Sequence, residues 1–230
     1  MKQTLIEGLP TLGLSLSAEQ IDRLCRFGAQ MLAQNQVMNL TAITEPGAVA
    51  QLHFLDSLAL LRDENLEGKT LIDIGCGAGF PGVPLAIAAP WCRVTLLDSL
   101  QKRVNWLKSV LPEVGVEAQC VAARAEEYVA LCREQFDVAT SRAVARLNIL
   151  SELCLPYVKV GGKFLALKGA MAQAEADEAE KAIDRLGGRI ADIREYPVGE
   201  AVHRIVVVEK VRPTPAAYPR KFAKIKQQPL

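Results

Sequence analysis

The chain has 230 residues, of which half are hydrophobic, and its 27 lysines and arginines nearly balance 26 aspartates and glutamates. This length suits one large α/β domain with a small extension, and the composition supplies enough apolar residues for a sizeable core. A net charge of +1 argues neither for nor against a nucleic-acid partner. Only the local distribution of charge can decide that question.

The cysteines and histidines indicate whether the chain forms disulfides or a metal site. The six cysteines are scattered without a C-x-x-C pair, and His53 and His203 lie far apart in sequence. We therefore expect reduced core cysteines and no metal site. No apolar run approaches the length of a membrane span, and the N-terminus does not resemble a signal peptide, so we predict a cytoplasmic protein without membrane contact.

Residues 1–66 are predicted to form a helical extension that packs on the rest of the chain. Ser17 begins an S-x-x-Q sequence, which is typical of a capping box, and apolar residues follow at helical spacing. A further helix is predicted over residues 47–61, because Pro46 suits a first helical turn. On this helix His53 and Asp56 would share a face, and Ser57 follows them. This spacing alone favours a surface histidine that is paired with a neighbouring side chain.

Residues 67–212 alternate predicted strands and helices, which indicates a doubly wound, mostly parallel sheet. The first strand, residues 70–74, leads into Gly75, Gly77 and Gly79 and then an apolar helix over residues 83–89. Such a unit lets a ligand lie against bare backbone, with helix N–H groups directed at it.

The residues around this glycine loop favour one cofactor over another. A dinucleotide fingerprint would require a glycine where Phe80 stands. Asp73, just before the loop, would repel a pyrophosphate but attract an ammonium or sulfonium group. Asp98 ends the next strand, residues 93–98, at roughly the 20-residue offset from which an acid reaches ribose hydroxyls. These features predict a pocket for S-adenosylmethionine rather than NAD.

The remaining elements carry the other side of the predicted site. Arg142 follows the fourth strand, residues 136–140, and Lys168 follows the fifth, residues 163–167, so both should overhang the crevice beside the cofactor. An acidic helix over residues 171–186 is interpreted as a solvated face. The other predicted elements are a helix over residues 100–111 ended by Pro112, a strand over 117–121, a helix over 149–157, a turn at Gly161-Gly162, and a strand pair over 190–196 and 202–209.

The C-terminal tail, residues 213–230, is basic. Residues 218–226 combine Arg220, Lys221, Lys224 and Lys226 with two aromatic residues and contain no acid. Basic residues interleaved with aromatics suit a phosphate backbone with splayed bases. These four cations are therefore candidate RNA contacts.

The end of the fourth strand restricts the methyl acceptor. It reads Thr140-Ser141-Arg142-Ala143, with neither the Asn/Asp-Pro-Pro-Tyr motif of exocyclic-amine methyltransferases nor a Pro-Cys nucleophile. An acceptor that is already nucleophilic remains, and guanine N7 fits because its lone pair carries no proton at neutral pH. Arg142 and Lys168 would then position the acceptor without acting as a base.

Several motifs resemble, in order from about residue 17 to the C-terminus, those of the bacterial 16S rRNA guanine-N7 methyltransferase G family, also called glucose-inhibited division protein B. They are Asn39-Leu40-Thr41, His53-Phe54-Leu55-Asp56-Ser57, the loop from Asp73 to Gly82, Leu97-Asp98-Ser99, Lys102-Arg103, Ser141-Arg142-Ala143 and Leu167-Lys168-Gly169. The resemblance implies a class I methyltransferase fold with a seven-stranded, Rossmann-like sheet. It also implies methylation of a guanine in a decoding-centre hairpin of 16S rRNA, with S-adenosylhomocysteine as the second product.

By the same resemblance, the cofactor contacts are expected at Gly75, Phe80, Asp98, Ala125, Glu126 and Arg142. Asp73 is added from its charge, and Gly77 and Gly79 complete the loop. His53, Asp56 and Ser57 become candidates for the acceptor side.

The expected partner is 16S rRNA or the small ribosomal subunit, with no obligate protein partner and a monomeric enzyme. The tail departs from the family, because Phe222-Ala223-Lys224-Ile225 stands where related chains often carry Gly-Pro. The alternatives left open are a methyltransferase acting on another RNA or a small molecule, an NAD-dependent oxidoreductase and a non-catalytic assembly factor.

Overall fold

In the computed structural model, which describes residues 1–142, 144–199 and 201–230, seven strands form one sheet in the order β3-β2-β1-β4-β5-β7-β6. Ala143 of the S-R-A motif lies outside the described residues. The strands are β1 (Thr70–Ile74), β2 (Arg93–Asp98), β3 (Gln119–Ala122), β4 (Phe136–Arg142), β5 (Val158–Lys168), β6 (Gly188–Val198) and β7 (Ala201–Lys210).

The first five strands pair in parallel, whereas β7 runs antiparallel to both β5 and β6. The predicted mostly parallel sheet and the C-terminal strand pair are thus confirmed. Strand order reverses between β1 and β4, because the chain winds outward from β1 to β3 and then returns to the other side. The carboxyl ends of strands at such a reversal form a crevice that suits a ligand.

Helices cover both faces of the sheet. They are α1 (Lys2–Thr11), α2 (Ala18–Met38), α3 (Pro46–Val49), α4 (Asp56–Leu58), α5 (Gly82–Ala88), α6 (Gln101–Glu113), α7 (Ala125–Cys132), α8 (Leu147–Cys154), α9 (Ala172–Arg185) and α10 (Phe222–Gln227). A π-helical turn, Ala50–Leu55, joins α3 to α4, and single 3-10 turns follow α4 (Ala59–Arg62) and α8 (Leu155–Tyr157).

Side chains alternate between two apolar layers along each strand, as the two-residue repeat of a strand requires. One layer joins Leu71 and Leu96 to Phe27 and Phe54 of the N-terminal helices. The other joins Ile72 to residues of α8, α9 and α10. The N-terminal helices therefore share a core with the sheet, as expected for a sheet covered on both faces.

Two sequence expectations about element ends are wrong. Helix α6 continues through Pro112 to Glu113, because a proline in the last turn removes only one helical hydrogen bond. The Gly161-Gly162 turn lies inside β5, where pairing with β4 shifts between Val158 and Lys163. Gly161 has a φ of +87° and no atom near its would-be Cβ, so it accommodates this bulge. The sequence also missed α1 and α10.

Candidate active site

Two cavities lie side by side at the carboxyl ends of the central strands. The first, about 470 Å³, is bounded by the glycine loop and by Asp98, and we call it the glycine-loop cavity. The second, about 620 Å³, is bounded by Lys168, Glu175 and His203, and we call it the Lys168 cavity. Of the described residues, three line both cavities: His53, Arg142 and Val144. A larger hollow beside Trp91 lies at the amino ends of β1 and β2, away from every motif.

The glycine loop presents backbone to the first cavity. Gly75 and Gly77 have φ values of +74° and +56°, a region that favours glycine. A Cβ at Gly75 would lie 2.6 Å from Val144 Cγ2, so a side chain there would collide with the wall between the cavities. A Cβ at Gly77 would meet nothing nearer than Gly75 O at 4.0 Å, so it would project into open space. The loop therefore forms a cradle, and a side chain at Gly77 would fill the open space of this cradle.

Asp98 forms the edge of this cradle and also holds it in place. Its Oδ2 accepts a hydrogen bond from Gly77 N (2.9 Å), and its Oδ1 accepts one from Leu100 N (2.8 Å). Arg103 Nη1 lies 3.6 Å from Oδ2. Each carboxylate oxygen can accept a second hydrogen bond, so Asp98 keeps acceptor capacity for ligand hydroxyls. The sequence predicted the ligand contact but missed the bond that shapes the loop.

Asp73 does not line either cavity, so the predicted direct attraction to the cofactor needs correction. The side chain is fully buried behind the loop, where Oδ2 accepts from Gly82 N (2.8 Å) at the start of α5. Among the described residues, Oδ1 has no hydrogen-bond partner. Burial raises the pKa of Asp73 to about 7, so much of its charge is lost near neutrality. Its position indicates a role in fixing the loop.

Ala125 and Glu126, also expected to contact the cofactor, lie at the start of α7 outside the walls of the glycine-loop cavity. Ala125 O accepts from Tyr157 Oη, and Glu126 lines a groove shared with the C-terminal tail. Ala123, two residues before Ala125, donates its N–H to Asp98 O at 3.1 Å, which places this segment next to the cavity. Their cofactor contacts stay predictions.

Arg142 ties the cofactor loop to the N-terminal helices. Its Nη1 donates to Leu52 O and to Asp56 Oδ2, both at 2.9 Å, and its Nη2 donates to His53 Nδ1 at 3.0 Å. The guanidinium also lies 5.1 Å from the centroid of the Phe80 ring. Arg142 thus stands in the shared wall with most of its donors satisfied by protein. A positioning role fits this environment better than a direct hold on the acceptor.

The π-helical turn supplies two of these acceptors, Leu52 O and the His53 ring. Such turns are rare and are frequent at functional sites. Sequence periodicity predicted a regular helix over residues 47–61, because a single inserted residue leaves no distinct signal in an apolar pattern.

Asp56 is the buried anchor of the same network. Its Oδ1 accepts from Tyr196 Oη and His203 Nδ1, both at 2.8 Å, in addition to the bond from Arg142 to Oδ2. Burial opposes the negative charge, but these three donors and the Arg142 charge outweigh it and lower the pKa of Asp56 below its ordinary value. The side chain of Asp56 is 5% exposed. Asp56 therefore positions Arg142 and His203, and its expected contact with the substrate stays a prediction, since it lines the Lys168 cavity.

Ser57 is likewise a structural residue and not an acceptor-side contact. It is fully buried, and its hydroxyl donates to His53 O at 2.5 Å. The bond closes within the helical segment and so stabilises the backbone that carries His53.

His53 is a neutral ring in the shared wall, not the paired surface histidine that its spacing favoured. Arg142 can only donate, so Nδ1 of His53 accepts and its Nε2–H donates to Thr41 Oγ1 at 2.8 Å. The ring stacks on Phe80 with centroids 4.8 Å apart. Burial, with the Arg142 charge, lowers the pKa of His53 from 6.5 to about 4.

We expect the pKa of His53 to lie below, and that of His203 above, the ordinary histidine pKa of 6.5. The hydrogen bond to Asp56 raises the pKa of His203 above 6.5, whereas that of His53 falls to about 4. Protonation of His53 therefore favours the unfolded chain. The contribution of His53 to the free energy of unfolding falls as the pH drops from 6.5 to about 4. The contribution of His203 has the opposite sign: it is complete below pH 6.5 and is lost as the pH rises through the raised pKa.

An NMR titration of the two ring signals, with His203→Gln to assign them, checks this expectation. Two titrations near pH 6.5 would contradict it.

Lys168 lines the second cavity, as predicted, and is not a solvated strand end. Its Nζ donates to Ala145 O and to Glu175 Oε2, both at 2.7 Å, and the side chain is 8% exposed. Glu175 belongs to α9, whose acidic residues were interpreted as a solvated face. That interpretation is wrong for Glu175, because the first turn of α9 lies against the end of β5.

The tail residues lie outside both cavities. Arg220 donates three hydrogen bonds, from N, Nε and Nη2, to the fully buried carboxylate of Glu152. Arg220 is therefore an anchor for the tail on α8, and its expected contact with RNA stays a prediction. Lys221, Lys224 and Lys226 are exposed, while Ile225 between them is fully buried.

The described ranges contain no group of three or more His, Cys, Asp or Glu that could hold a metal ion. Within them, no helix combines the length and apolar character needed to cross a membrane.

Comparison with known sequences gives a consistent result over nearly the whole chain. The family model described as GidB, rRNA small subunit methyltransferase G, matches residues 20–197. The Ribosomal RNA small subunit methyltransferase G of Clostridium botulinum (strain Eklund 17B / Type B) is 46% identical over 224 residues, 95% of this chain and 94% of that protein. The protein with the same description from Alkaliphilus metalliredigens is 43% identical over 235 residues, 100% of this chain and 98% of that protein.

Solved structures match the fold at much lower identity. A SAM-dependent methyltransferase from Aquifex aeolicus has a TM-score of 0.54 and 17% identity, over 70% of this chain and 92% of that chain. TYW2 of M. jannaschii, solved in complex with AdoMet, has a TM-score of 0.57 and 12% identity, over 74% and 80%. At this identity the likeness shows the fold alone, and it confirms the predicted class I methyltransferase sheet.

Proposed function

Because the chain belongs to the rRNA small subunit methyltransferase G family, we propose that it transfers a methyl group from S-adenosylmethionine to N7 of a guanine in 16S rRNA. The observation that supports this most directly is the pair of cavities with a common wall at His53, Arg142 and Val144. A donor in one cavity and an acceptor base in the other would meet at that wall, as in-line transfer requires.

The glycine-loop cavity offers S-adenosylmethionine open space beside the backbone and a hydrogen-bond acceptor at its edge. The open space at the Gly77 Cβ position leaves room for a ligand against the backbone, and Asp98 offers acceptor capacity at the cavity edge. When bound, the cofactor supplies a methyl group on a positively charged sulfur. Gly75 and Gly77 would cradle it, Asp98 would accept from its hydroxyls, and Phe80 with Arg142 would close the side toward the acceptor.

The acceptor side needs no general base. Guanine N7 carries a lone pair and no proton, so the Lys168 cavity has to bind and orient the base. Lys168 supplies a buried cation in its lining and Arg142 is fixed in the shared wall. A methyltransferase for a small molecule would share the first cavity. The exposed Lys221, Lys224 and Lys226 favour an rRNA backbone instead. We further propose that the enzyme acts as a monomer in the cytoplasm, where ribosomal subunits are assembled.

The variant Asp98→Ala is expected to weaken S-adenosylmethionine binding by about 1.5–3 kcal/mol, the scale of a hydrogen bond to a charged group. The substitution removes the ligand acceptor and also releases Gly77 N. Isothermal titration calorimetry measures the effect, with the exposed Asp192→Ala as the control. Wild-type affinity in a folded Asp98→Ala protein would remove Asp98 from the site.

The variant Lys168→Ala tests the acceptor assignment. We expect methyl transfer to small-subunit rRNA to slow by about 10-fold or more, about 1.4 kcal/mol, with little change in cofactor affinity. Single-turnover rates of the wild-type enzyme should show no essential base above neutral pH. A steep rise of the rate with pH that disappears in Lys168→Ala would show proton abstraction, and the N7 assignment would then be wrong.

A further inference from the structure

The proposed reaction does not by itself distinguish guanine from adenine. Both purines present N7 as an unprotonated acceptor, so in-line transfer to N7 would accept either base. Guanine differs in having O6 as an acceptor and N1–H and N2–H₂ as donors, whereas adenine has an N6–H₂ donor and an N1 acceptor. A site that selects guanine therefore needs a donor beside an acceptor where the Watson–Crick edge lies.

Lys168 and Glu175 form such a pair. Lys168 Nζ has three hydrogens, of which two are used by Ala145 O and Glu175 Oε2. Glu175 Oε2 accepts from both Lys168 Nζ and Leu147 N (2.8 Å), while within the described ranges no hydrogen bond reaches Oε1. The pair thus retains one donor and one charged acceptor next to each other in the wall of the cavity.

The pair lies beside the wall that the two cavities share, because Lys168 Nζ donates to the carbonyl oxygen of Ala145, the residue after Val144. His53, Arg142 and Val144 line both cavities, but Lys168 and Glu175 line only the second. A purine with N7 toward that wall would turn O6 to the same side, where Lys168 lies, and would turn N1–H and N2–H₂ along the cavity, where Glu175 lies next to Lys168. Asp56, another carboxylate at this cavity, already accepts three hydrogen bonds, from Arg142, Tyr196 and His203.

We propose that Glu175 determines base specificity by accepting hydrogen bonds from N1–H and N2–H of the guanine through Oε1, while Lys168 donates to O6. Adenine would place its N1 lone pair against the carboxylate and its amino group against the ammonium, and both contacts are repulsive. This assignment rests on the proposed function, and it gives Glu175 a role that its place in an acidic helix did not indicate.

The variant Glu175→Gln provides a sharp test, because it should turn the acceptor into a donor. Lys168 Nζ and Leu147 N both donate to the position of Oε2, so the amide oxygen of glutamine would occupy that position. The amide NH₂ would then face the base where Oε1 stood. Glu180→Gln is the matched control, since Glu180 lies on the same helix and is exposed.

The readout is kcat/KM on small-subunit rRNA that carries either guanine or inosine, which lacks the N2 amino group, at the target position. We expect wild-type enzyme and Glu180→Gln to prefer guanine by about 10-fold or more, the effect of one hydrogen bond to a charged group. Glu175→Gln should lose this preference while its affinity for S-adenosylmethionine is unchanged.

Equal losses on both substrates, with the preference retained, would overturn the proposal and leave Glu175 as a support for Lys168. A wild-type enzyme that methylates guanine and inosine equally would also overturn it. A wild-type enzyme that leaves the guanine unmethylated would overturn the proposed function, and this assignment with it.

Discussion

Replacement of Gly77 by valine is expected to weaken S-adenosylmethionine binding by at least about 100-fold, or about 2.7 kcal/mol. The Cβ of residue 77 would project into the open space of the glycine-loop cavity, so a valine would occupy the volume that the ligand needs. Its φ of +56° is also unfavourable for a β-branched residue. Calorimetric titration of the variant measures the loss.

Gly68→Val separates the two causes of this effect. Gly68 has a φ of +68°, its would-be Cβ also meets no atom within 4 Å, and it lies outside both cavities. The strain is therefore similar, but no ligand space is filled, and we expect cofactor binding to stay at the wild-type level. If both variants bind normally, the loop is a structural turn and not a binding cradle.

Replacement of Asp56 by alanine is expected to lower the free energy of unfolding by about 3–5 kcal/mol, because it leaves a buried cation without its partner. Arg142 and His203 would lose the carboxylate, and Tyr196 would lose its acceptor in a buried position. Urea denaturation followed by circular dichroism measures the change.

Asp22→Ala serves as the control for Asp56→Ala. Asp22 pairs with Lys2 at 2.6 Å, but both side chains are more than half exposed, so its removal should cost at most about 1 kcal/mol. Equal small effects in the two variants would show that Asp56 does not anchor the network.

The main elements of the fold follow from short-range patterns in the sequence. The bounds of β2 agree with the strand predicted over residues 93–98, and the Ser17 capping box forms as predicted at the start of α2. The glycine positions predicted where the cofactor cavity lies, because the backbone conformations that glycine permits depend on the local sequence and not on distant contacts.

The missing parts of the site depend on contacts between distant segments. The sequence predicted Glu175 to be solvated like the other acids of its helix. In the fold, Lys168 lies beside Glu175 and donates to both Glu175 Oε2 and Ala145 O. Asp73 carried the expected charge, but packing of α5 directs its carboxylate to Gly82 N and away from the cavity. The anchoring of Arg220 could not be predicted, because nothing in the sequence pairs it with Glu152, a buried residue 68 positions earlier.

Mass spectrometry of 16S rRNA from cells with and without this protein tests the central claim most directly. We expect one 7-methylguanosine in the small-subunit rRNA to be present with the protein, absent without it, restored by the wild-type chain and not restored by Gly77→Val. Unchanged 7-methylguanosine in cells that lack the protein would contradict the proposed reaction.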